Sequence, residues 1–184
     1  MARLADPTRD AAACAAAYAP HVAVGAASFE ETPPDAEAIA GRMRRVLERF
    51  PWLVAERDGE VAGYAYAGPH RDRAAYRWAV DVAVYVHEAH QRQGVGRELY
   101  GDLLPLLARQ GFTQALAGIT VPNAASVALH EAFGFQLVGV YRDIGFKAGA
   151  WRDVGWWQLA LRPGEQGDRP AEPVPLPQLD PPVS

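Results

Sequence analysis

A strand-like run that leads through a glycine-bearing turn into a helical segment constrains this 184-residue chain more than any other feature. Residues 82–96 read VAVYVHEAHQRQGVG, with an apolar β-branched run first and glycine at positions 94 and 96. A strand, a turn and a helix start at one point present free backbone N–H groups and the positive end of a helix dipole, which favour an anion. Glycine lets the backbone approach the anion closely, and Arg92 and Arg97 add positive charge. The segment therefore predicts a phosphate-binding loop, with an ordinary turn before a helix as the alternative.

Two common phosphate-binding patterns and one metal pattern do not match this segment. The P-loop needs a Lys-Ser/Thr pair after its last glycine, and the dinucleotide fingerprint needs a third glycine where this chain has Leu99. Residues 87–90, His-Glu-Ala-His, are one residue short of the zincin pattern and lie at a strand-to-loop junction, so we expect no metal there. The remaining pattern is Gln-x-x-Gly-x-Gly after a strand.

The composition narrows the class of protein. The chain is 49% hydrophobic and 22% charged, with a net charge of −4 and a pI near 5.7, which argues against a nucleic-acid partner. Cys14 is the only cysteine, so we expect neither an internal disulfide nor a cysteine metal cluster. The N-terminus lacks the apolar stretch of a signal peptide, and no window is long enough for a membrane span. We therefore expect a soluble, cytoplasmic protein without a membrane partner.

Local signals predict an alternation of helices and strands. Asp58-Gly59 joins two β-rich runs and predicts a hairpin with a type I′ turn. Asn123 is the expected cap of a helix that ends at Gly134, and Pro105 predicts a kink or break in the helix after Gly94. The expected helices are residues 6–19, 35–49, 95–107 and 124–133, and the expected strands are residues 52–57, 61–67, 78–87, 115–121, 135–142 and 151–161.

This order of elements, with its loop, resembles the GNAT acetyltransferase superfamily. The resemblance implies an α/β (α+β) fold: a mixed, twisted central sheet with helices on both faces. It also implies that the strands before and after the loop splay apart and hold acetyl-CoA as co-substrate, with no metal. We assign this domain to residues 1–162, and residues 163–184 to a proline-rich, flexible tail. The cofactor residues implied are Val84, Tyr85, Val86, Gln91, Arg92, Gln93, Gly94, Val95, Gly96, Arg97 and Asn123.

Three further blocks are similar to the phosphinothricin acetyltransferase family. They are FPWLVAE at residues 50–56, GYAYAGP at 63–69 followed by AYRW at 75–78, and GFK at 145–147 followed by WRDVGWWQ at 151–158. That family acetylates the α-amine of glutamate-like or methionine-derived amino-acid analogues and is commonly dimeric, so the resemblance implies a homodimer. The family's usual glutamate on the strand before the loop appears here as Asp81, which is one methylene shorter.

Acetyl transfer to an amine needs a neutral amine, so a base is expected. Asp81 is the first candidate because a carboxylate in an apolar strand needs a reason to be there, and burial would raise its pKa. The alternative is an aspartate that only pairs with Arg77 or Arg73. By its family position His130 is a second catalytic candidate, able to relay protons near the thioester. The alternative for His130 is a histidine satisfied by a neighbouring carbonyl.

The acceptor site is expected near the loop that follows residue 69. Arg71 and Arg73, with Tyr76, suit recognition of a substrate carboxylate, and Phe29 is a candidate for the pocket lining. A solvated loop and a plain core aromatic are the respective alternatives. The leading function is direct acetyl transfer from acetyl-CoA to the α-amine of a small amino-acid analogue. The competing functions are acetylation of a polyamine, an antibiotic or a protein N-terminus, and a CoA-binding sensor without turnover.

Overall fold

A mixed seven-stranded sheet organises the protein in a computed structural model that describes residues 1–164 and 169–181. The strand order is β1-β2-β3-β4-β5-β7-β6, and every neighbouring pair is antiparallel except β4 and β5. The strands are β1 (Arg3–Leu4), β2 (Trp52–Arg57), β3 (Glu60–Pro69), β4 (Ala79–Val86), β5 (Gln114–Val121), β6 (Gln136–Lys147) and β7 (Ala150–Ala160). The helices are α1 (Ala11–Ala23), α2 (Ala36–Leu47), α3 (Val95–Gln110) and α4 (Ala124–Ala132).

Alternation along β2 divides the core between the two faces of the sheet. Leu53 and Ala55 pack in the cluster that contains the leucines of α3. Trp52 and Val54 point the other way, into a cluster built from the buried side chains of α1 and α2. Because successive strand residues face opposite sides, these two clusters place helices on both faces, as the resemblance to the GNAT superfamily implied.

The parallel pair β4 and β5 is joined only at its beginning. Ala79, Val80 and Asp81 pair with residues 114–116, and no pairing between the two strands continues beyond Asp81 and Leu116. β4 stays paired with β3 up to Val86, while β5 stays paired with β7. The sheet is therefore forked from Asp81 onward, and this fork creates the cleft described below.

The elements marked by local residue signals lie where the sequence predicts them. Asp58 and Gly59 both have positive φ, 52° and 84°, as the type I′ hairpin turn requires. The side chain of Asn123 accepts a hydrogen bond from the N–H of Ser126 at 3.1 Å and caps α4. Asp35 caps α2 in the same way through the N–H of Ala38.

Two predicted boundaries and the predicted break at Pro105 are wrong. α1 begins at Ala11 rather than at the Asp6-Pro7 pair, because Asp10 accepts a hydrogen bond from the N–H of Asp6 and holds a turn there. α3 is one continuous helix through Pro105, with buried leucines on both sides of the proline anchoring it to the core. β6 continues to Lys147, past a register shift between Tyr141 and Gly145 that the strand pattern did not reveal.

The described part of the tail is docked on the domain, contrary to the expectation of a flexible segment. Leu176 and Leu179 are only 5% and 7% exposed and join the core cluster on the α3 face. The buried Gln110 donates from Nε2 to the carbonyls of Arg49 and Val174, at 2.8 Å each, which ties the tail to α3. The described part of the tail is thus held on the domain by two buried leucines and by the hydrogen bonds of Gln110. The rest of the predicted tail, residues 165–168 and 182–184, lies outside the described residues.

Within residues 1–164 and 169–181, no helix is long and apolar enough to cross a membrane. The same ranges contain no group of three or more histidine, cysteine, aspartate or glutamate side chains that could hold a metal ion. Cys14 is fully buried in the α1 cluster, and burial raises the pKa of its thiol to about 12. Its thiol therefore remains protonated and has a packing role.

Candidate active site

A cleft of about 840 Å³ opens where β4 and β5 separate. One wall is β4 from Val82 to Val86, and the opposite wall is residues 117–120 of β5. The loop after β4 and the first turn of α3 close one end, and α4 borders the cleft from Asn123 to His130. An elongated ligand that lies along β4 would thus run from the fork at Asp81 to the start of α3.

The backbone of β4 offers unpaired groups to this cleft. The N–H of His87 donates to the carbonyl of Ala62 on β3, so the residues that face β3 are the odd-numbered ones. The N–H groups of Val84 and Val86 therefore point toward β5, which no longer pairs with β4 at these residues. Tyr85 also lines the cleft, but its backbone N–H and carbonyl are turned toward β3. The predicted backbone donors near Val84 and Val86 are thus available to a ligand.

The N-terminus of α3 carries no side-chain cap. Gly94 has φ 79° and ψ 2°, and its carbonyl accepts the first helical hydrogen bond, from the N–H of Glu98 at 3.0 Å. The N–H groups of Val95, Gly96 and Arg97 precede that bond and have no acceptor within the helix. Three free amides at a helix start form an anion site.

The two glycines of this loop have different surroundings. Gly94 supplies the left-handed backbone conformation and has open space around it. A Cβ on Gly96 would lie 2.9 Å from Cδ2 of Leu129, so Gly96 also gives α4 room to pack against α3.

Most of the cofactor residues implied by the resemblance line the cleft together. Gln93 does not, because its Nε2 donates to the carbonyl of Ala89 at 3.0 Å and closes the loop on itself. His21 of α1 also lines the cleft and was missed, since it lies far from the loop in sequence. Its Nε2 is buried without a protein partner, and burial lowers the pKa of its ring. The lining residues that were predicted are Val84, Tyr85, Val86, Gln91, Arg92, Gly94, Val95, Gly96, Arg97 and Asn123.

His130 borders the cleft, but both of its ring nitrogens are occupied. Nδ1 lies 2.7 Å from the carbonyl oxygen of Ser126, to which it must donate, and Nε2 lies 2.9 Å from the hydroxyl of Tyr100. Since Nδ1 carries the proton, the hydroxyl of Tyr100 donates to Nε2. Burial lowers the pKa of His130, which is 3% exposed, so the ring is neutral. This arrangement matches the alternative of a histidine satisfied by a neighbouring carbonyl.

Asp81 lies at the fork and is bonded to a residue that the sequence did not single out. Its Oδ1 is 2.7 Å from Nδ1 of His70, which follows β3 directly. Arg77 instead pairs with Glu172 at 2.7 Å, so the predicted pairing of Asp81 with this arginine is not formed. Burial raises the pKa of Asp81, and the opposing effects of the His70 hydrogen bond and of Arg71 do not cancel it.

Aromatic side chains surround the His70–Asp81 pair. The His70 ring lies edge-on to the rings of Tyr76 and Trp156, with both centroid distances 5.8 Å. The guanidinium of Arg71 lies over Trp156 at 5.8 Å. Trp156 covers Gly118 of β5, where an added Cβ would be 3.3 Å from its ring, and its own Nε1 is buried without a protein partner.

The four predicted acceptor residues are therefore only partly brought together. Arg71 and Tyr76 belong to this group, but Arg73 is exposed at the start of a 3₁₀ turn and contacts none of it. Phe29 lies on the α1–α2 loop, 41% exposed, with its ring against the backbone of Gly145 on β6. Trp156 was missed as a site residue because the tryptophan-rich block gives no indication of which of its rings faces the fork.

Comparisons with known proteins identify this architecture. The sequence profile described as the acetyltransferase (GNAT) domain matches residues 6–156. The chain is 42% identical over 156 residues to the phosphinothricin N-acetyltransferase of Streptomyces viridochromogenes, covering 85% of this chain and 82% of that protein. It is 41% identical over 117 residues to the L-methionine sulfoximine/L-methionine sulfone acetyltransferase of Salmonella typhimurium, covering 64% and 68% of the two chains.

A solved structure extends the likeness to three dimensions. The phosphinothricin acetyltransferase of Sinorhizobium meliloti, in complex with AcCoA, superposes with a TM-score of 0.88 at 35% identity. The superposition covers 95% of this chain and 94% of that one. The chain therefore belongs to the GNAT acetyltransferase family and is related within it to the phosphinothricin N-acetyltransferases.

Proposed function

We propose that this protein transfers the acetyl group of acetyl-CoA to the α-amine of a small amino-acid analogue of the phosphinothricin or methionine sulfoximine type. The observation that carries the proposal is the forked sheet, whose cleft ends at the uncapped, glycine-started N-terminus of α3. The names of the relatives support the same reaction and the same class of acceptor.

The residues of the cleft fit acetyl-CoA. The free amides of Val95, Gly96 and Arg97, beside Arg92, suit the diphosphate. The N–H groups of β4 that face the cleft suit the amide groups of the pantetheine arm and the thioester carbonyl. Acetyl-CoA supplies the activated acetyl group, and the protein positions it, polarises its carbonyl and prepares the amine. We further propose a cytoplasmic location, because acetyl-CoA is made and used inside the cell.

The acceptor would bind at the fork between β4 and β5, beside Asp81. Arg71 is the cation best placed for a substrate carboxylate, since it lies over Trp156 next to the His70–Asp81 pair. Tyr76 adds a hydroxyl on the same side, and Asp81 provides the negative charge that attracts an ammonium group. An amino acid presents both charges that this site would recognise.

One assay separates this proposal from its rivals. The purified protein is incubated with acetyl-CoA and a panel containing phosphinothricin, methionine sulfoximine, spermidine, an aminoglycoside and a peptide with a free N-terminus, and free thiol release is followed. We expect turnover with the first two compounds. Turnover only with another amine would reassign the acceptor, and acetyl-CoA binding without turnover of any compound would favour a sensor.

We also propose that the protein is a homodimer that buries the exposed apolar residues of β6. Soluble monomers rarely expose an extended apolar strip, and β6 with the start of β7 carries one. The sequence-based candidate, the Trp151–Trp157 block, would contribute only Trp151, because Trp157 is 4% exposed and belongs to the core. The strip consists of Leu137, Val138, Tyr141, Ile144, Phe146 and Trp151, each at least half exposed.

Sedimentation velocity tests the dimer. We expect the wild type to sediment as a dimer and Ile144→Glu as a monomer, because a charge in the middle of the strip would be desolvated on association. A monomeric wild type, or a variant that remains dimeric, would contradict this proposal. The acetylation assay on the same samples shows whether the monomer retains activity.

A further inference from the structure

The His70–Asp81 pair has the geometry of an oriented histidine base. Nδ1 of His70 lies 2.7 Å from Oδ1 of Asp81, and the His70 side chain is 13% exposed against 37% for Asp81. The ring is held edge-on between Tyr76 and Trp156. A histidine packed on two sides and bonded through one nitrogen has a fixed orientation.

The position of the proton follows from the partner. An ionised carboxylate only accepts hydrogen bonds, so Nδ1 carries the proton and Nε2 keeps its lone pair. No hydrogen bond to Nε2 is formed by any residue in the ranges 1–164 and 169–181, and the atom is not sealed from solvent. The result is a free basic nitrogen, with a carboxylate behind it that stabilises the charge after proton uptake.

This nitrogen lies where the reaction would take place. Asp81 pairs with Leu116 at the last position before β4 and β5 separate. A ligand whose diphosphate lies at α3 and whose arm follows β4 brings its far end to this fork. His70 follows β3 beside Asp81, and its ring extends toward Trp156, which covers β5 at Gly118. The histidine therefore borders the space that an attacking amine would occupy.

We propose that His70 is the base that deprotonates the acceptor amine and that Asp81 positions it. The inference rests on the proposed function. Nε2 of His70 takes the proton as the amine nitrogen bonds to the carbonyl carbon of the thioester. The carbon–sulfur bond then breaks with its electron pair on sulfur, the thiolate takes up a proton from solvent, and the imidazolium returns its proton to solvent. The products are the N-acetylated amine and CoA.

This assignment differs from the sequence-based prediction that Asp81 itself is the base. The carboxylate of Asp81 already accepts a hydrogen bond from His70, so it meets the amine as an ionic partner and acts on the proton through the ring. The shorter side chain of Asp81, where the resemblance expects glutamate, leaves room for the imidazole between the carboxylate and the substrate. The imidazole of His70 then extends to the substrate, which the shorter side chain of Asp81 does not reach.

The groups that face or adjoin the ring come from β4, the β3–β4 loop, β7 and β3. Asp81 of β4 contributes a negative charge at 2.7 Å. In the loop, Arg71 contributes a positive charge and Tyr76 contributes a phenol ring at 5.8 Å. Trp156 of β7 is not titratable. Tyr66 of β3 is a neutral phenol, since burial raises its pKa to about 12. Asp81 is thus the nearest charge acting on the ring.

The test compares His70→Gln with the wild type. For His70→Gln we expect kcat to fall at least about 100-fold, as for removal of a general base, with the calorimetric affinity for acetyl-CoA unchanged. The fall of kcat/KM on the acid side should disappear with His70. Added imidazole should restore part of the activity of His70→Ala.

Three results would contradict this inference. If His70→Gln keeps kcat within about threefold and keeps the acid-side fall, while Asp81→Asn is inactive, then Asp81 or a water molecule is the base and this inference is wrong. A wild type that turns over no amine would instead overturn the proposed function and this inference with it. Failure of imidazole to rescue a folded His70→Ala protein that binds acetyl-CoA would also contradict the assignment.

Discussion

Asp10 joins the N-terminal strand to the first helix. Its two carboxylate oxygens lie 2.7 and 2.8 Å from the guanidinium nitrogens of Arg3, and one of them accepts the N–H of Asp6 at 2.7 Å. The residue is fully buried. Burial by itself acts to raise the pKa of Asp10, but the bonds from Arg3 and Asp6 overcome it and hold the pKa below the ordinary value.

Asp10→Asn should lower the free energy of unfolding by about 3 kcal/mol at neutral pH, because it leaves a half-buried guanidinium with one partner fewer. A lowered folded pKa means that the contribution of Asp10 is complete above the unfolded value of about 4 and is lost as pH falls through the folded value. The wild type should therefore lose stability more steeply below pH ~4 than the variant does. Urea unfolding at a series of pH values measures both quantities, and parallel pH curves would contradict the explanation.

Substitution of His130 tests whether this buried histidine beside the cleft takes part in the chemistry. Its hydrogen bonds to Ser126 and Tyr100 leave no nitrogen for a substrate. We expect His130→Gln to lower the melting temperature while kcat stays within about threefold, well below the 100-fold effect typical of a general base. A folded variant with kcat reduced 100-fold or more would restore His130 to the catalytic role that the family resemblance implied.

His70 shows why part of the site could not be predicted from sequence. Asp81 was recognised because a carboxylate interrupts an apolar strand. The partner of Asp81 depends on the β3–β4 register, which pairs Gly68 with Asp81 and returns the following loop to the same place. The residues around His70 do not indicate that register. The proximity of His70 and Asp81 is therefore visible only in the three-dimensional structure.

Phe29 lies on the α1–α2 loop, and the contacts of Glu30 with α1, α2 and β6 hold this loop in place. Glu30 binds Arg42 of α2 through two hydrogen bonds, at 2.7 and 2.8 Å, and accepts the hydroxyl of Tyr18 of α1 at 2.9 Å. Lys147 at the end of β6 donates to the backbone carbonyl of Glu30. The ring of Phe29 is thus fixed over the backbone of Gly145.

Gly145→Ala should displace Phe29, because the added Cβ would lie 2.2 Å from Cε2 of its ring. If Phe29 lines the acceptor pocket, KM for the amine should rise about tenfold, a change of about 1.4 kcal/mol, while acetyl-CoA affinity stays the same. Gly139→Ala is the matched control on the same strand, since nothing lies within 4 Å of its Cβ position. Equal KM values for the two variants would remove Phe29 from the pocket.

Elements with a local signal were predictable, and those that depend on distant contacts were not. The hairpin at Asp58-Gly59, the cap at Asn123 and the glycine start of α3 each follow from one or two residues. β1 is only two residues long and exists because Arg3 and Leu4 pair with β2, about 50 residues away. The full length of β6 likewise depends on its pairing with β7 across the bulge.

At the scale of the whole molecule, the described part of the tail contributes buried leucines to the core. Leu176→Ala should lower the free energy of unfolding by about 2–3 kcal/mol, as expected for a buried leucine at the edge of a core. Val174→Ala is the control in the same segment, because Val174 is 37% exposed and should change stability much less. Chemical denaturation of both variants provides the comparison, and equal small effects would mean that the tail does not stay docked in solution.

The sequence predicted the sheet, the helices on its two faces and the cleft through the resemblance to the GNAT superfamily, and it predicted the individual helices and strands through periodicity and turn signals. It did not predict that residues 169–172 brace the loop next to the acceptor site. Trp78 donates from Nε1 to the carbonyl of Ala171 at 2.9 Å, and Glu172 pairs with Arg77. A proline-rich composition carries no information about where such a segment docks.

The central claim is that the amides at the start of α3 bind the diphosphate of acetyl-CoA, and calorimetric titration of two glycine variants tests it most directly. Gly94 and Gly59 both have positive φ, 79° and 84°, and open space around them, so alanine strains each backbone to a similar degree. We predict that Gly94→Ala weakens acetyl-CoA binding at least about tenfold, about 1.4 kcal/mol or more, while Gly59→Ala binds as wild type. Equal, undiminished heats of binding for both variants, or no binding by the wild type, would contradict the account.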